Sequence, residues 1–261
     1  MNRLSERLSK FQESKKKALV AYLVAGDPDI NTTLNLMELL VSSGVDIIEI
    51  GVPFTDPIAE GPIIQKAHDR ALKNNISLDQ IFDLVHEFRK KDDETPIVLM
   101  GYLNTFIFYK HLIKNNDNNH VDSILVVDIP GELDLSNYGV SNKNINTISL
   151  ISPTTKKDRV KSIAENSSGF IYYVTLRGVT GSSNLDIQEI KTNIQEIKQY
   201  SHLPVLAGFG IKSAEDAKLL SECSDGIVIG SSIVQMIEEN SISKEFGRIE
   251  NYINEIRQAI E

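Results

Sequence analysis

One glutamate, Glu49, interrupts the apolar run Asp46-Ile47-Ile48-Glu49-Ile50-Gly51. Side chains alternate across a strand, so Glu49 shares a face with Ile47 and opposes Ile48 and Ile50. A carboxyl held out of water has its pKa raised, because desolvation disfavours the charged form. Such a group can give or take a proton near neutral pH. The same residues also fit a glutamate paired with a cation or turned to the outer face of a sheet. The segment that follows, Val52 to Pro62, carries three prolines and two further acids, Asp56 and Glu60. It reads as a long ordered excursion rather than a short turn. Loops of this kind carry function, although solubility alone accounts for a loop acid equally well.

A second constellation suits an anion. Three late segments bear glycine: Arg177-Gly178-Val179-Thr180-Gly181, Gly208-Phe209-Gly210-Ile211 and Gly230-Ser231-Ser232. Glycine lets the backbone approach a ligand closely, and the unpaired amides at a helix start point toward negative charge. Each segment alone is an ordinary turn. In order on successive strands they form a phosphate cup. They do not form a dinucleotide fingerprint, which needs a third glycine and an acid ending a following strand.

These groups need a scaffold that brings them together. Apolar runs recur at Leu19–Val24, Ile47–Gly51, Ile97–Gly101, Ser123–Asp128, Asn146–Ile151, Phe170–Val174, Pro204–Gly208 and Gly226–Ile229. Continuous runs of this length are expected of strands buried on both faces, as in parallel sheets. Between them lie helix-like segments: Asp29 to Ser43 with Asp29 placed to cap, Ser77 to Lys91 capped by Ser77, Lys156 to Asn166, Leu185 to Tyr200 and Ser213 to Leu220. About eight strand–helix units close into a (β/α)8 barrel, with catalytic groups at the C-terminal ends of the strands. Leu4, Leu8 and Phe11 predict a helix covering the lower mouth. Glu245 to Glu261 predicts a closing helix. The Asn- and Asp-rich segment Lys114 to His120 reads as a surface loop. Residues 1–261 are read as one barrel domain.

Bulk properties narrow the partners. The net charge of -9 disfavours nucleic acid and anionic lipid, so an anionic substrate must be held by local donors. The lone cysteine, Cys223, allows no intrachain disulfide, and no metal-type Cys/His spacing occurs, so no metal is expected. The charged start, Met1 to Lys17, lacks the apolar core of a signal peptide, and no apolar run is long enough to span a membrane. A cytoplasmic protein is expected.

Taken together, these motifs resemble the tryptophan synthase alpha chain family. The resemblance rests on Ile48-Glu49-Ile50-Gly51-Val52-Pro53-Phe54-Thr55-Asp56-Pro57, on Gly26-Asp27-Pro28, on Pro96 to Asn104, on Val121 to Pro130, and on the three glycine segments in the same order. It runs from about Leu4 to near the C-terminus, and the absence of tryptophan is in keeping with it. It implies a (β/α)8 barrel with an added N-terminal helix and extra helices near strands 2 and 8. It implies retro-aldol cleavage of indole-3-glycerol phosphate to indole and glyceraldehyde 3-phosphate. Glu49 is then the general acid/base, Glu60 the acid that attracts the indole N–H, and Tyr172 the active-site tyrosine. Tyr22, Met100, Leu125 and Phe209 wall the indole. Gly181, Gly210, Gly230 and Ser231 hold the phosphate, and Thr180 belongs to a closing loop. Pro53, Asp56, Pro57 and Asn104 face a beta subunit in an α2β2 complex. That subunit carries pyridoxal phosphate; this chain needs no cofactor of its own.

Three positions depart from the family pattern. Glu60 replaces the usual aspartate, so its carboxylate reaches one methylene further. If the surrounding geometry follows the family, Glu60→Asp preserves or raises activity; a loss beyond about tenfold marks a loop built for the longer acid. Tyr22 replaces the commoner phenylalanine and adds a hydroxyl that needs a partner when buried. The closing loop carries Arg177 one position later than some members. Two alternatives stay open at this point. One is another phosphate-binding barrel enzyme, which would need a lysine high on an inner strand face. The other is a non-catalytic subunit that activates a pyridoxal-phosphate-dependent beta partner.

Overall fold

The computed structural model describes residues 2–115, 120–175, 186–208, 210–243 and 245–261. Helix α1 (Arg3–Ser14) leads into β1 (Ala18–Val24), α2 (Ile30–Ser42) and β2 (Ile47–Gly51). Two helices follow β2, α3 (Pro62–Lys73) and α4 (Leu78–Arg89). Strand β3 (Ile97–Gly101) is followed by the short α5 (Leu103–Phe108) and α6 (Lys110–Lys114). Next come β4 (Ser123–Val126), a 3₁₀ turn at Leu135–Tyr138, β5 (Asn146–Ile151), α7 (Lys157–Asn166) and β6 (Ile171–Val174). The chain ends with α8 (Ile187–Tyr200), β7 (Val205–Gly208), α9 (Ala214–Cys223), β8 (Gly226–Ile229), α10 (Ser231–Glu239) and α11 (Gly247–Ile260). The strands pair in sequence order, all parallel, and β8 returns to β1 to close the barrel.

Each anticipated strand is present, four with the expected bounds and four with one end moved by one or two residues. The two expected caps are made: Asp29 accepts the Thr32 amide and Ser77 forms a capping box with Gln80; Ser213 also forms one with Asp216. Helix α9 runs on to Cys223, beyond the expected stop at Leu220. The extra helices near strands 2 and 8 are α3 and α10.

Alternation sorts the barrel into two cores. Outward-facing residues such as Leu19, Ile48, Ile50, Leu99 and Ile124 pack under the helices. Val20, Ile47, Val98, Leu125, Ile148, Phe170, Leu206 and Val228 fill the interior. Leu4 and Leu8 of α1 join that interior set, so α1 plugs the lower mouth as its stripe requires. Burying each leucine stabilises by about 1.5–3 kcal/mol.

The lower rim repeats one device at every second strand. The first or second amide of each odd strand is met there by a side chain that precedes the next even strand. Asp46 accepts from the Leu19 amide at 2.9 Å, Asp122 from Ile97 at 2.8 Å, Ser168 from Thr147 at 2.8 Å and Asp225 from Val205 at 2.8 Å. Buried Asp122 is further held by Arg89 at 2.9 Å and Arg3 at 3.3 Å. Asp122→Ala is therefore expected to cost about 3–5 kcal/mol, because Arg89 is left as a buried charge without its carboxylate. Urea unfolding measures this directly; a loss under about 1 kcal/mol would show that solvent replaces the carboxylate freely.

Candidate active site

The upper end of the barrel opens into a cavity of about 440 Å³. Its floor and walls come from strand positions that alternation turns inward: Tyr22, Glu49, Met100, Leu125, Leu150, Tyr172 and Val228. Glu49 thus points into the barrel, sharing its face with Ile47, and is 1% exposed. A larger, more open depression of about 670 Å³ lies at the lower rim between Arg7, Asp46, Asp93 and Arg257. Its charges are mixed in sign, and it carries none of the groups that converge at the upper end.

Glu49 is placed by its strand neighbours. It registers with Tyr22 on β1 and Val98 on β3. Its Oε1 has no hydrogen-bond partner among the described residues. Burial, and then the nearby Glu60 carboxylate, push its carboxyl up to about 8. At neutral pH it is a carboxylic acid with a proton to give.

Glu60 is set by the loop after β2 and by the residue that follows the next strand. The Tyr102 hydroxyl donates to Glu60 Oε2 and itself accepts the Ala59 amide at 3.0 Å. The Tyr102 ring stacks on Phe54, with centroids 4.4 Å apart. Gln65 ties the loop to α3 by donating to the Glu60 carbonyl at 2.9 Å. Burial raises the Glu60 carboxyl, and the Tyr102 hydrogen bond works against that by stabilising the anion. The extra methylene of glutamate is therefore matched by a phenol that holds its end.

Two tyrosines border the cavity through the same stereochemical arrangement. The Tyr22 hydroxyl lies over Gly51 on β2, and the Tyr172 hydroxyl lies over Gly208 on β7. A Cβ at either glycine would overlap the phenol oxygen, so these two glycines make room rather than turns. Burial raises the pKa of both phenols, with Glu49 adding to the effect on each, so both remain neutral donors.

At the far side of the cavity, Gly230 is the N-cap of α10 and Ser231 its first residue. No side chain caps this helix among the described residues, in contrast to α2, α4 and α9. Its first amides are left for a ligand. Gly210 beside it takes φ +76, a left-handed conformation that side chains resist. Gly210, Gly230 and Ser231 all line the cavity.

The structure thus brings together Tyr22, Glu49, Glu60, Met100, Leu125, Tyr172, Gly210, Gly230 and Ser231. Thr180, Gly181 and Phe209, with the departure at Arg177, lie outside the described residues. On the loops above β2 and β3, Asp56 and Asn104 are exposed and Pro57 is partly so, whereas Pro53 is buried within the chain. Sequence reasoning missed Ile63, Ile64, Val127, Leu150, Val174 and Lys212 in the cavity wall. Carrying the alternation two residues on from Leu125, Ile148 and Tyr172 would have found Val127, Leu150 and Val174. Lys212, on the loop between β7 and α9, brings a cation to a mouth for which only neutral donors were anticipated. None of the eight strands carries a lysine, which removes the feature that the alternative phosphate-binding barrels require.

Comparison with known proteins agrees with this geometry. The tryptophan synthase alpha chain family model matches residues 8–261. The alpha chain of Nitrosomonas europaea is 41% identical over 265 residues, covering 100% of this chain and 96% of that protein. The alpha chain of Neisseria meningitidis serogroup B is 44% identical, covering 94% of each. Among solved structures, tryptophan synthase subunit alpha from Legionella pneumophila superposes with a TM-score of 0.90 at 36% identity, covering 100% of this chain and 98% of that one. With the family model matching nearly the whole chain and full-length relatives above 40% identical, this chain belongs to the tryptophan synthase alpha chain family.

Proposed function

We propose that this chain cleaves indole-3-glycerol phosphate, the reaction of its family, with Glu49 as the acid/base. The observation that carries the reading is the buried Glu49 carboxyl, protonated at neutral pH, set in an apolar slot that ends at the free amides of α10. The phosphate is gripped at Gly210, Gly230 and Ser231, with Gly181 assigned there from the resemblance. The indole lies against Tyr22, Met100 and Leu125, an apolar surface suited to a flat ring; Phe209 and Thr180 are assigned to the indole pocket and a closing loop from the resemblance alone.

Glu49 gives its proton to the ring carbon that bears the glycerol chain. Positive character develops on the ring nitrogen, where Glu60 stabilises it. The carbon–carbon bond then breaks, and its electron pair restores the aromatic ring. The adjacent side-chain hydroxyl becomes the aldehyde of glyceraldehyde 3-phosphate, and its proton returns to the Glu49 carboxylate. Tyr172 stays neutral throughout and presents a donor beside the reacting groups. Turnover of indole-3-glycerol phosphate to indole, with and without a beta subunit, tests the reading; no cleavage in either case rejects it.

The indole passes to the beta chain, which holds the pyridoxal phosphate of the α2β2 enzyme. We place the contact on the loops above β2 and β3, around Asp56, Pro57 and Asn104, with the buried Pro53 shaping the loop from within. Ile58 on the loop after β2 and Phe108 at the end of α5, each 75% exposed, supply its apolar anchors. Phe108→Asp is expected to weaken assembly by about tenfold or more, roughly 1.4 kcal/mol, in a titration with beta subunit. Unchanged affinity would move the contact elsewhere. No helix among the described residues is long and apolar enough to cross a membrane. We read the chain as one cytoplasmic barrel domain.

A further inference from the structure

We propose that His68 is a positioning residue for the cleavage reaction, an imidazole that fastens the loop carrying Glu60 to the Tyr22 wall of the cavity. The inference rests on the cleavage reading above. His68 sits on the inner face of α3, next to Ala67 and Ala71, which pack with Tyr22, Val24 and Val234. It is 1% exposed. A histidine costs desolvation there unless its nitrogens are used.

Both ring nitrogens have a partner in reach. Nδ1 accepts the Phe54 amide at 3.0 Å. Nε2 lies 3.5 Å from the Tyr22 hydroxyl, at the outer edge of a hydrogen bond. Burial lowers the imidazole pKa to about 4, so the ring is neutral at working pH. With Nδ1 accepting, the single proton resides on Nε2 and is donated toward Tyr22. The tyrosine at position 22 and its buried partner are therefore one unit.

Each end of that unit leads to the chemistry. Phe54 stacks on Tyr102, and Tyr102 holds Glu60. Tyr22 lies over Gly51, two residues beyond Glu49, and a Cβ on Gly230 would lie 3.2 Å from the Tyr22 Cβ. Fixing the Tyr22 ring fixes the spacing between the catalytic strand and the start of α10. Small displacements of such groups are costly in rate.

The test uses the chain assembled with beta subunit, comparing wild type, His68→Leu, His68→Asn, Tyr22→Phe and the Leu/Phe double variant. His68→Leu is expected to lower kcat by about tenfold or more, roughly 1.4 kcal/mol of barrier, while KM changes by less than about threefold. His68→Asn, whose amide offers both an acceptor and a donor, should recover most of that loss. Tyr22→Phe should cost less in the His68→Leu background than in the wild type, as coupling requires. If His68→Leu does not fold, Tyr22→Phe should cost as much in the His68→Asn background as in the wild type, because the amide still meets the hydroxyl; no measurable cost in either background overturns the inference. A His68→Leu enzyme within about twofold of wild-type kcat overturns the inference, as does strict additivity with Tyr22→Phe. Failure of the wild type to cleave the substrate would sink the cleavage reading itself, and is told apart by that control.

Discussion

Glu49→Gln is expected to abolish cleavage of indole-3-glycerol phosphate, lowering kcat by about 10²–10⁴, the usual share of a positioned acid/base. The amide keeps the shape of the side chain but has no proton to deliver to carbon. The pH dependence has a definite sign. Burial and Glu60 set the Glu49 carboxyl at about 8, so the proton-donating form prevails below that value and is lost above it. Wild-type kcat should therefore fall as pH rises through about 8, and that limb should vanish in the variant.

The same shift acts on stability. The folded state holds the Glu49 proton more tightly than the unfolded chain, whose ordinary glutamate titrates near 4.5. Between these values the folded state binds more protons, so its stability is full below about 4.5 and declines as pH rises through about 8. Glu49→Gln removes that decline. The variant should be inactive yet more resistant to unfolding than wild type at alkaline pH. Retention of substantial turnover, with an unchanged pH profile, would remove Glu49 from its role.

Glu60→Gln should lower kcat by about 10²–10³, the cost of losing one electrostatic group aimed at developing charge. Substrate binding should change far less, because the positive character on the ring nitrogen exists chiefly in the transition state. Glu60→Asp separates two geometries. Shortening the side chain withdraws the carboxylate from the Tyr102 hydroxyl, which is fixed by the Ala59 amide and by stacking on Phe54. The expected loss is about tenfold. Tyr102→Phe should then cost little in the aspartate background and about tenfold in the glutamate background. Single-turnover measurements of both pairs decide it. Full activity of Glu60→Asp would mean that Tyr102 braces the loop without serving its acid.

The barrel and its acid were legible because both follow from local rules. Strand alternation sets Ile47 and Glu49 on one face and Ile48 and Ile50 on the other, and the structure turns the first face inward. Helix caps at Asp29 and Ser77 depend on residues three positions away, and both are made. Gly230 and Ser231 were readable for the same reason, as a helix start that no side chain caps.

What the sequence determined by itself was the period of the strands, the face that Glu49 shares with Ile47 and the family to which its motifs point. The tertiary structure alone decided that Tyr102 holds Glu60 across 42 residues, that His68 meets Tyr22 across 46, and that Lys212 reaches the cavity mouth. It also buried Pro53 within the chain, beside the exposed Asp56 of the same loop. The physical reason is range. Periodicity and capping act over a few covalent bonds, whereas these contacts exist only once closure of the sheet sets neighbouring loops at fixed distances around one rim.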